Sequence, residues 1–369
     1  MAKQKNPYEI DFEEYIRHTD ASKKEKTLAW STAIGLQQVD GLTPSSYLYE
    51  TARRNIEGDI SFDEAKRLVD SYYKKKTARN TDEDERTEEA DKVASRIAQI
   101  LSQPSFTFAP SQLIAIHKEL FKGLFKFAGK IRDYDITKRE WVLNGDTVMY
   151  GAAYELKDAL NYDFEQERGF NYTGISDDEK IKHISFFVSR LWQIHPFGEG
   201  NTRTTAVFVI KYLRSIGFKA DNDSFAQNSW YFRNALVRAN YTNVEKGIQE
   251  NPIYLERFFR NLLLNERNEL KNRFTHIDYD EYMKKSSEKE FGEKQKGSQK
   301  GSQKSSQKII EMIKQNSEIT TQEMADNLGI TRRAVAKSIA KLQEQGVVRR
   351  VGADKGGYWE VLNGEDVDG

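Results

Sequence analysis

The sequence has no cysteine, which excludes disulfides, thiol nucleophiles and thiolate metal sites. Its five histidines (His18, His117, His183, His195 and His276) include no pair at a close metal-ligand spacing, which argues against a zinc enzyme. Neither sign of charge dominates. Lys and Arg number 57 and Asp and Glu 57, so a nucleic-acid or membrane partner would have to meet a local patch. No apolar run approaches the ~18 residues needed to cross a bilayer, and the opening MAKQKNPYEIDFEEY lacks the apolar stretch of a signal peptide. These absences predict a cytoplasmic chain with no membrane partner.

What is present is a chain of 369 residues, longer than one ordinary domain, in which 12% are aromatic and 31% charged. Enough aromatic surface exists to bury a sizeable core, and the excess charge suits solvated helical faces and a linker. Apolar spacing predicts a mainly α fold in four segments: an N-terminal helical module over 1–88, a core over 89–273, a helix extension and flexible linker over 274–305, and a winged helix-turn-helix over 306–363. In the first, KEKTLAWSTAIGLQQV should stop at Asp40-Gly41. Thr43 should cap a second helix with Pro44 in its first turn, and Ser61–Glu64 has a capping-box pattern.

The core segment predicts helices over Ala90–Ser102, Pro110–Leu124, Tyr154–Phe164, Asp177–Ile194, Thr202–Ile216, Tyr231–Val244 and Ile253–Asn272. Two β-prone runs, Asp133–Ile136 and Trp141–Tyr150, with Asn144-Gly145 as a turn, predict one β-hairpin flap. His117, His183, Trp192, Trp230 and Phe258-Phe259 lie in apolar helical runs and are expected to be core.

The most informative stretch is IHPFGEGNTRTTAVFVIKYL, from Ile194 to Leu213. Pro196 should end the preceding helix at His195, and a new helix should begin near Thr202. Between them Gly198, Gly200 and Asn201 allow a tight loop whose N–H groups, with a helix N-terminus behind them, form a phosphate cradle. His195 can take a proton at neutral pH. Glu199 is a hard oxygen ligand suited to Mg²⁺ bridging nucleotide phosphates. Arg203 can grip phosphate oxygens bidentately. Together these groups point to phosphoryl or nucleotidyl transfer to a hydroxyl.

HPFGEGNTR, over His195–Arg203, resembles the Fic motif, usually written HxFx(D/E)GNGRxxR. The resemblance extends from about Ser111 to Leu263. FAGKIR (Phe127–Arg132) resembles the segment entering the Fic flap, and NSWYFRNALVRANY (Asn228–Tyr241) resembles the helix after the motif. It implies a helical protein adenylyltransferase that moves AMP from ATP, with Mg²⁺, to a Ser, Thr or Tyr hydroxyl of another protein or of itself. By matched position, His195 would be the general base, Phe197 the loop anchor and Glu199 the metal ligand. Gly198, Gly200, Asn201, Thr202 and Arg203 would engage the nucleotide. The flap around Ile136–Tyr150 would dock the target by strand addition. A Fic relative moving another phosphate-containing group, or a DNA-binding regulator with a Fic ligand sensor, are the alternatives. Homo-oligomerisation is left open.

Two positions depart from the motif. Thr202 replaces the second glycine and is expected to crowd the phosphate side, and the second arginine would fall at Ala206. GLQQVDGL, over Gly35–Leu42, resembles the Ser/Thr-x-x-x-Glu-Gly segment of antitoxin-like modules, with Asp40 and Gly41 as inhibitory candidates and Leu36 at the Ser/Thr position. The resemblance implies that Asp40 lacks its usual arginine partner.

In the last segment, Val335, Ile339 and Leu342 form one apolar face of a helix, and Arg333, Lys337 and Lys341 a basic stripe. With Thr331 as N-cap and Gly356-Gly357 as a wing turn, this predicts a recognition helix that meets DNA through Arg332, Arg333 and Lys337.

Overall fold

The computed structural model describes residues 10–12, 15–16, 20–75, 82–220, 223–279, 300–317, 319–328, 332–344, 347–351 and 358–362. His18, residues 280–299 of the segment expected as helix extension and linker over 274–305, Thr331 and the wing turn Gly356-Gly357 lie outside the described residues. The chain divides into two units, Met1–Tyr279 and Asp280–Gly369.

In the first unit the N-terminal helices are α1 (Ala21–Gly35), α2 (Ser46–Glu57) and α3 (Phe62–Lys75). They share one continuous apolar core with the helices that follow, so no seam separates them near residue 88. The interlock is close. Gly35 lies so near α9 (Ser224–Ala239) that an added Cβ would stand 2.3 Å from the carbonyl oxygen of Ala226. Ser229 Oγ donates to Gly35 O at 2.7 Å, and Trp30 Nε1 donates to Asn55 Oδ1 at 2.9 Å.

Helix α1 passes into a 3₁₀ turn over Leu36–Asp40, and Gly41 stops it at φ 65°, as the glycine predicts. The cap of α2 differs from expectation. Ser45, rather than Thr43, accepts from Leu48 N at 3.2 Å, while its own N–H donates to Asp91 Oδ1 at 2.8 Å, leaving Pro44 outside the helix. The capping box at α3 forms as expected, Glu64 N donating to Ser61 Oγ at 3.2 Å and Ser61 N to Glu64 Oε2 at 3.0 Å.

The rest of this unit comprises α4 (Asp82–Ser102), α5 (Pro110–Phe121), α6 (Leu156–Gly169), α7 (Asp177–Ile194), α8 (Asn201–Ser215), α9 and α10 (Ile253–Leu264). Helix α10 ends eight residues before the expected Asn272. There Asn265 turns left-handed at φ 54°, and Asn261 exchanges hydrogen bonds with Asn268. The flap reverses at Asn144 (φ 56°) and Gly145 (φ 85°), but its two arms form no strand ladder. Trp141–Leu143 is a 3₁₀ turn instead. The arms are spent on side-chain anchors: Glu140, fully buried, pairs with Arg233 of α9 at 2.6 Å and accepts from Tyr150 Oη at 3.1 Å.

The second unit has α11 (Lys300–Gln315), α12 (Thr321–Leu328), α13 (Arg332–Glu344) and the antiparallel pair β1 (Val348–Val351) and β2 (Tyr358–Val361). Its first helix starts at Lys300, inside the stretch expected to be linker. Ile309, Ile313, Met324, Val335, Ile339, Leu342 and Val348 form a core of its own, the expected apolar face of α13 among them. This is the helix-turn-helix followed by two strands that the sequence predicts.

Candidate active site

Helix α7 ends at Ile194 because Pro196 disfavours helical angles in the residue before it. His195 is left in the left-handed region at φ 51°, an uncommon conformation for a side chain with a Cβ. Arg132 holds it there. This guanidinium, its side chain 1% exposed, donates Nε to His195 O at 2.8 Å and Nη1 to Tyr134 O at 2.6 Å. Its Nη2 reaches Gly151 O and Ile194 O, and its backbone N–H donates to Pro196 O at 2.9 Å. One buried side chain thereby ties the flap to the loop that follows α7.

Asn201 closes that loop from the other end. Its Nδ2 donates to Phe197 O at 2.7 Å, and its Oδ1 accepts from Phe197 N at 3.0 Å. Phe197 is buried and stacks face to face on His117, with ring centroids 3.7 Å apart. Asn201, expected at the phosphates, has its side chain committed to the loop's own backbone. Gly200, at φ 78°, admits no side chain, since an added Cβ would stand 2.3 Å from the Phe121 ring.

Thr202 faces inward, where its Oγ1 accepts from Trp192 Nε1 at 2.9 Å. The expectation that it crowds the phosphate side is overturned by that buried hydrogen bond.

His117 is core, as expected, and also a brace. Gly129 N donates to its Nδ1 at 2.8 Å, so Nε2 carries the proton and donates to Glu199 O at 3.0 Å. Burial lowers its pKa to about 4, overcoming the carbonyl of Glu199. In the unfolded chain the same ring takes a proton below about 6.5, so folding stability is lost as pH falls from that value toward about 4. The whole effect is about 3 kcal/mol. Denaturant titrations of wild type and His117→Gln should therefore start apart at neutral pH and converge on acidification. A constant gap would contradict the neutral ring. His183, half-buried, pairs with Glu167 Oε2 at 2.6 Å and stacks on Phe170.

His195 itself is 2% exposed. Its Nδ1 lies 3.2 Å from Trp192 O and can only donate there, which leaves the Nε2 lone pair, without a partner, as the basic atom. Burial lowers its pKa well below 6.5, aided by the positive charges of Lys138, Arg233 and Arg132, so the ring is neutral at physiological pH.

Glu199 meets the Lys138 ammonium at 3.1 Å. Burial opposes its ionisation, but Lys138, the Gly200 N–H and Arg203 outweigh it and lower its pKa.

Arg203 is fully buried. Its Nη2 donates to Glu89 Oε1 at 2.6 Å, its Nη1 to Gln37 Oε1 at 3.2 Å, and its Nε lies 2.7 Å from Asp40 Oδ2. Asp40 thus has an arginine after all. The acid that would meet a second motif arginine meets the first, because Ala206 offers it nothing.

Asp40, Gly41, Glu89, Glu199, Arg203 and Trp230 line one cavity of about 600 Å³, with Arg86 and Arg233 at its wall. Trp230, expected to be core, is half-buried and faces this space. His195 is not among the lining residues. Arg86 Nη2 donates to the carbonyls of Asp40 at 3.1 Å and Gly41 at 3.0 Å, strapping the N-terminal turn over the cavity. Of the other site candidates, Gly198 lies in the loop, and an added Cβ there would stand 2.6 Å from Tyr134 Oη. Arg332 and Lys337 are exposed on α13 of the second unit; the side chain of Arg333 lies outside the described residues.

Residues 107–213, which carry the whole loop, match the Fic/DOC family. The chain carries a Fic domain. Residues 306–358 match an HTH domain. Over 155 residues the chain is 28% identical to the protein adenylyltransferase VbhT of Bartonella schoenbuchensis, covering 37% of this chain and 31% of that protein. Over 120 residues it is 27% identical to the probable protein adenylyltransferase Fic of Salmonella typhimurium, covering 32% of this chain and 56% of that one. The Fic-bearing chain thus spans less than two thirds of the length of either relative. A solved Fic family protein from Desulfovibrio desulfuricans aligns over 97% of both chains at 12% identity, with a TM-score of 0.38.

Arg132, Lys138, His117, Glu89, Gln37 and Arg86 were not evident as site residues. Arg132 lay within FAGKIR, but nothing in that segment marks its side chain as a clamp. Glu89 meets Arg203 across 114 positions, a separation that no local spacing reports.

Proposed function

We propose that the chain transfers AMP from ATP to a hydroxyl of a protein substrate, another protein or a copy of itself. The observation that carries this reading is His195: a neutral imidazole whose Nδ1 is fixed on Trp192 O and whose Nε2 has no partner. In the proposed reaction Nε2 takes the proton of the target hydroxyl, that oxygen bonds to the α-phosphorus, and the bond to the departing pyrophosphate breaks. The imidazolium formed keeps its Nδ1–H on Trp192 O and returns its proton to solvent or product. The Gly198–Asn201 loop and the positive N-terminal end of α8 would face the phosphates, with the Gly200 N–H, now donated to Glu199 Oε1 at 3.1 Å, released to them.

Glu199 fits a divalent cation. It is ionised and half-exposed in a cavity, and its present counter-charge is the Lys138 ammonium, which the cation would replace. Mg²⁺ held by Glu199 and the phosphates would neutralise charge on the α- and β-phosphates. Among the described residues no group of three or more His, Asp or Glu surrounds a common point, so the phosphates themselves would complete its ligand set.

As described, Arg203 is engaged within the protein. Asp40 and Gln37 of the N-terminal turn occupy Arg203, and Arg86 holds the turn down. The N-terminal helices are thereby read as a regulatory module for the site they cover. A target segment would lie along the extended arm before Glu140 and pair with its backbone. Intact-mass measurement after incubation with ATP and Mg²⁺ tests the reaction. An adenylyl adduct on this chain or an added substrate is the expected result, and none on either, in wild type and in variants with the turn released, would refute it.

A second activity is favoured by α13, whose Arg332 and Lys337 are exposed beside an HTH match. We propose that this helix binds duplex DNA. Arg332→Ala with Lys337→Ala should weaken binding and lower the slope of log K against log salt by about 1 for each phosphate that is no longer neutralised. An unchanged slope, or binding indifferent to salt, would set DNA aside.

A further inference from the structure

Arg203 is held by two carboxylates from two different parts of the chain, and the two contacts are not equivalent. Glu89 belongs to α4, in the body of the first unit. Its Oε1 accepts a hydrogen bond from Arg203 Nη2 at 2.6 Å. Asp40 belongs to the N-terminal turn. Its Oδ2 comes within 2.7 Å of Arg203 Nε, yet both atoms lack a hydrogen-bond partner, because the N–H points off the line between them. An aspartate side chain is one methylene shorter than a glutamate, and here it arrives close but askew. Charge-assisted hydrogen bonds draw their strength from alignment as well as distance.

Nε and Nη2 form one edge of a guanidinium, the pair of parallel donors that takes a phosphate or carboxylate bidentately. Glu89 takes Nη2, Asp40 stands against Nε without a hydrogen bond, and Gln37 takes Nη1. If the N-terminal turn lifts, Asp40 and Gln37 leave with it and Glu89 stays. The edge would still be half-occupied, and a carboxylate would still stand where a phosphate oxygen has to come.

We propose that Glu89 is the principal holder of Arg203, the group a nucleotide phosphate has to displace, and that Asp40 is a secondary contact. The proposal rests on reading Arg203 as a phosphate ligand. Control of the site is thereby divided: the turn covers the cavity, while α4 sets whether Arg203 is free to bind. Glu89 acts through Arg203 and is a positioning residue.

The test uses the full chain in four forms: wild type, Asp40→Ala, Glu89→Gln and Glu89→Gln with Arg203→Ala. Glutamine preserves the shape of Glu89 and one acceptor while removing its charge. Two readouts are taken, the affinity for inorganic triphosphate and the rate of AMP transfer, with melting temperature as a check on folding. Glu89→Gln should bind triphosphate roughly tenfold tighter or better, the scale of one charged hydrogen bond. Asp40→Ala should gain clearly less, and the gain should vanish when Arg203 is also removed. A larger gain from Asp40→Ala, equal gains, no gain in either, or a gain that survives Arg203→Ala would each overturn the proposal. If no form transfers AMP while the triphosphate pattern holds, the reaction assignment fails and the role of Glu89 stands.

Discussion

His195→Ala is expected to lower AMP transfer by about 10²–10⁴-fold, the usual contribution of a positioned acid–base group. The fold should persist, because no side chain leans on the imidazole for a hydrogen bond; its one ring contact of that kind is with the Trp192 carbonyl. ATP affinity should change little, since the ring does not line the cavity that holds Glu199 and Arg203. The pH profile gives a sharper version. Burial and three nearby cations keep the ring neutral, so the acid limb of kcat/KM should fall below the ordinary imidazole value of 6.5. A limb at or above that value would mean that the free enzyme's base is another group, or that His195 is more open to water than its 2% exposure implies.

The second large effect is expected from Arg132→Ala. That side chain is buried and donates to the carbonyls of Tyr134, Gly151, Ile194 and His195. Its removal leaves several buried acceptors without donors and frees the left-handed turn at His195. The cost should be about 3 kcal/mol or more, or roughly 6–12 °C in Tm. Transfer should fall as well, because the base is no longer held in place. Arg132→Lys should recover little of either, since one ammonium cannot reach carbonyls that a planar fork serves. A variant with wild-type melting and activity would show that the loop is held by Asn201 and the Phe197–His117 stack alone.

How much of this could be read from the sequence depends on the range of each interaction. The loop was legible because its chemistry is contiguous: Pro196 ends one helix, glycines make the turn, and His195, Glu199 and Arg203 follow within nine residues. Helix α7 ran over the predicted Asp177–Ile194 for the same local reason, with Ser176 and Glu179 forming its capping box. The partners that set each group's state were not legible. His117 meets the carbonyl of Glu199 across 82 positions, Arg132 meets His195 across 63, and Glu89 meets Arg203 across 114.

Two local signals were also overridden. Asn144-Gly145 does turn the chain, but the Glu140–Arg233 pair ties the flap to α9 and no ladder forms. Pro44 invited a helix start at Thr43, but Asp91, 46 positions from Ser45, draws the cap to Ser45. Conversely, the absent second arginine was visible as Ala206, whereas its consequence, Asp40 turning to Arg203, required the packed structure.

The most direct test of the central claim is to incubate the full chain with Mg²⁺ and ATP labelled on either the α- or the γ-phosphate, in wild type and His195→Ala. Label on protein from α-labelled ATP alone, lost in the variant, is the predicted result. Label from the γ-phosphate, or from neither in wild type and in a variant with the N-terminal turn released, or α-label undiminished in His195→Ala, would contradict it.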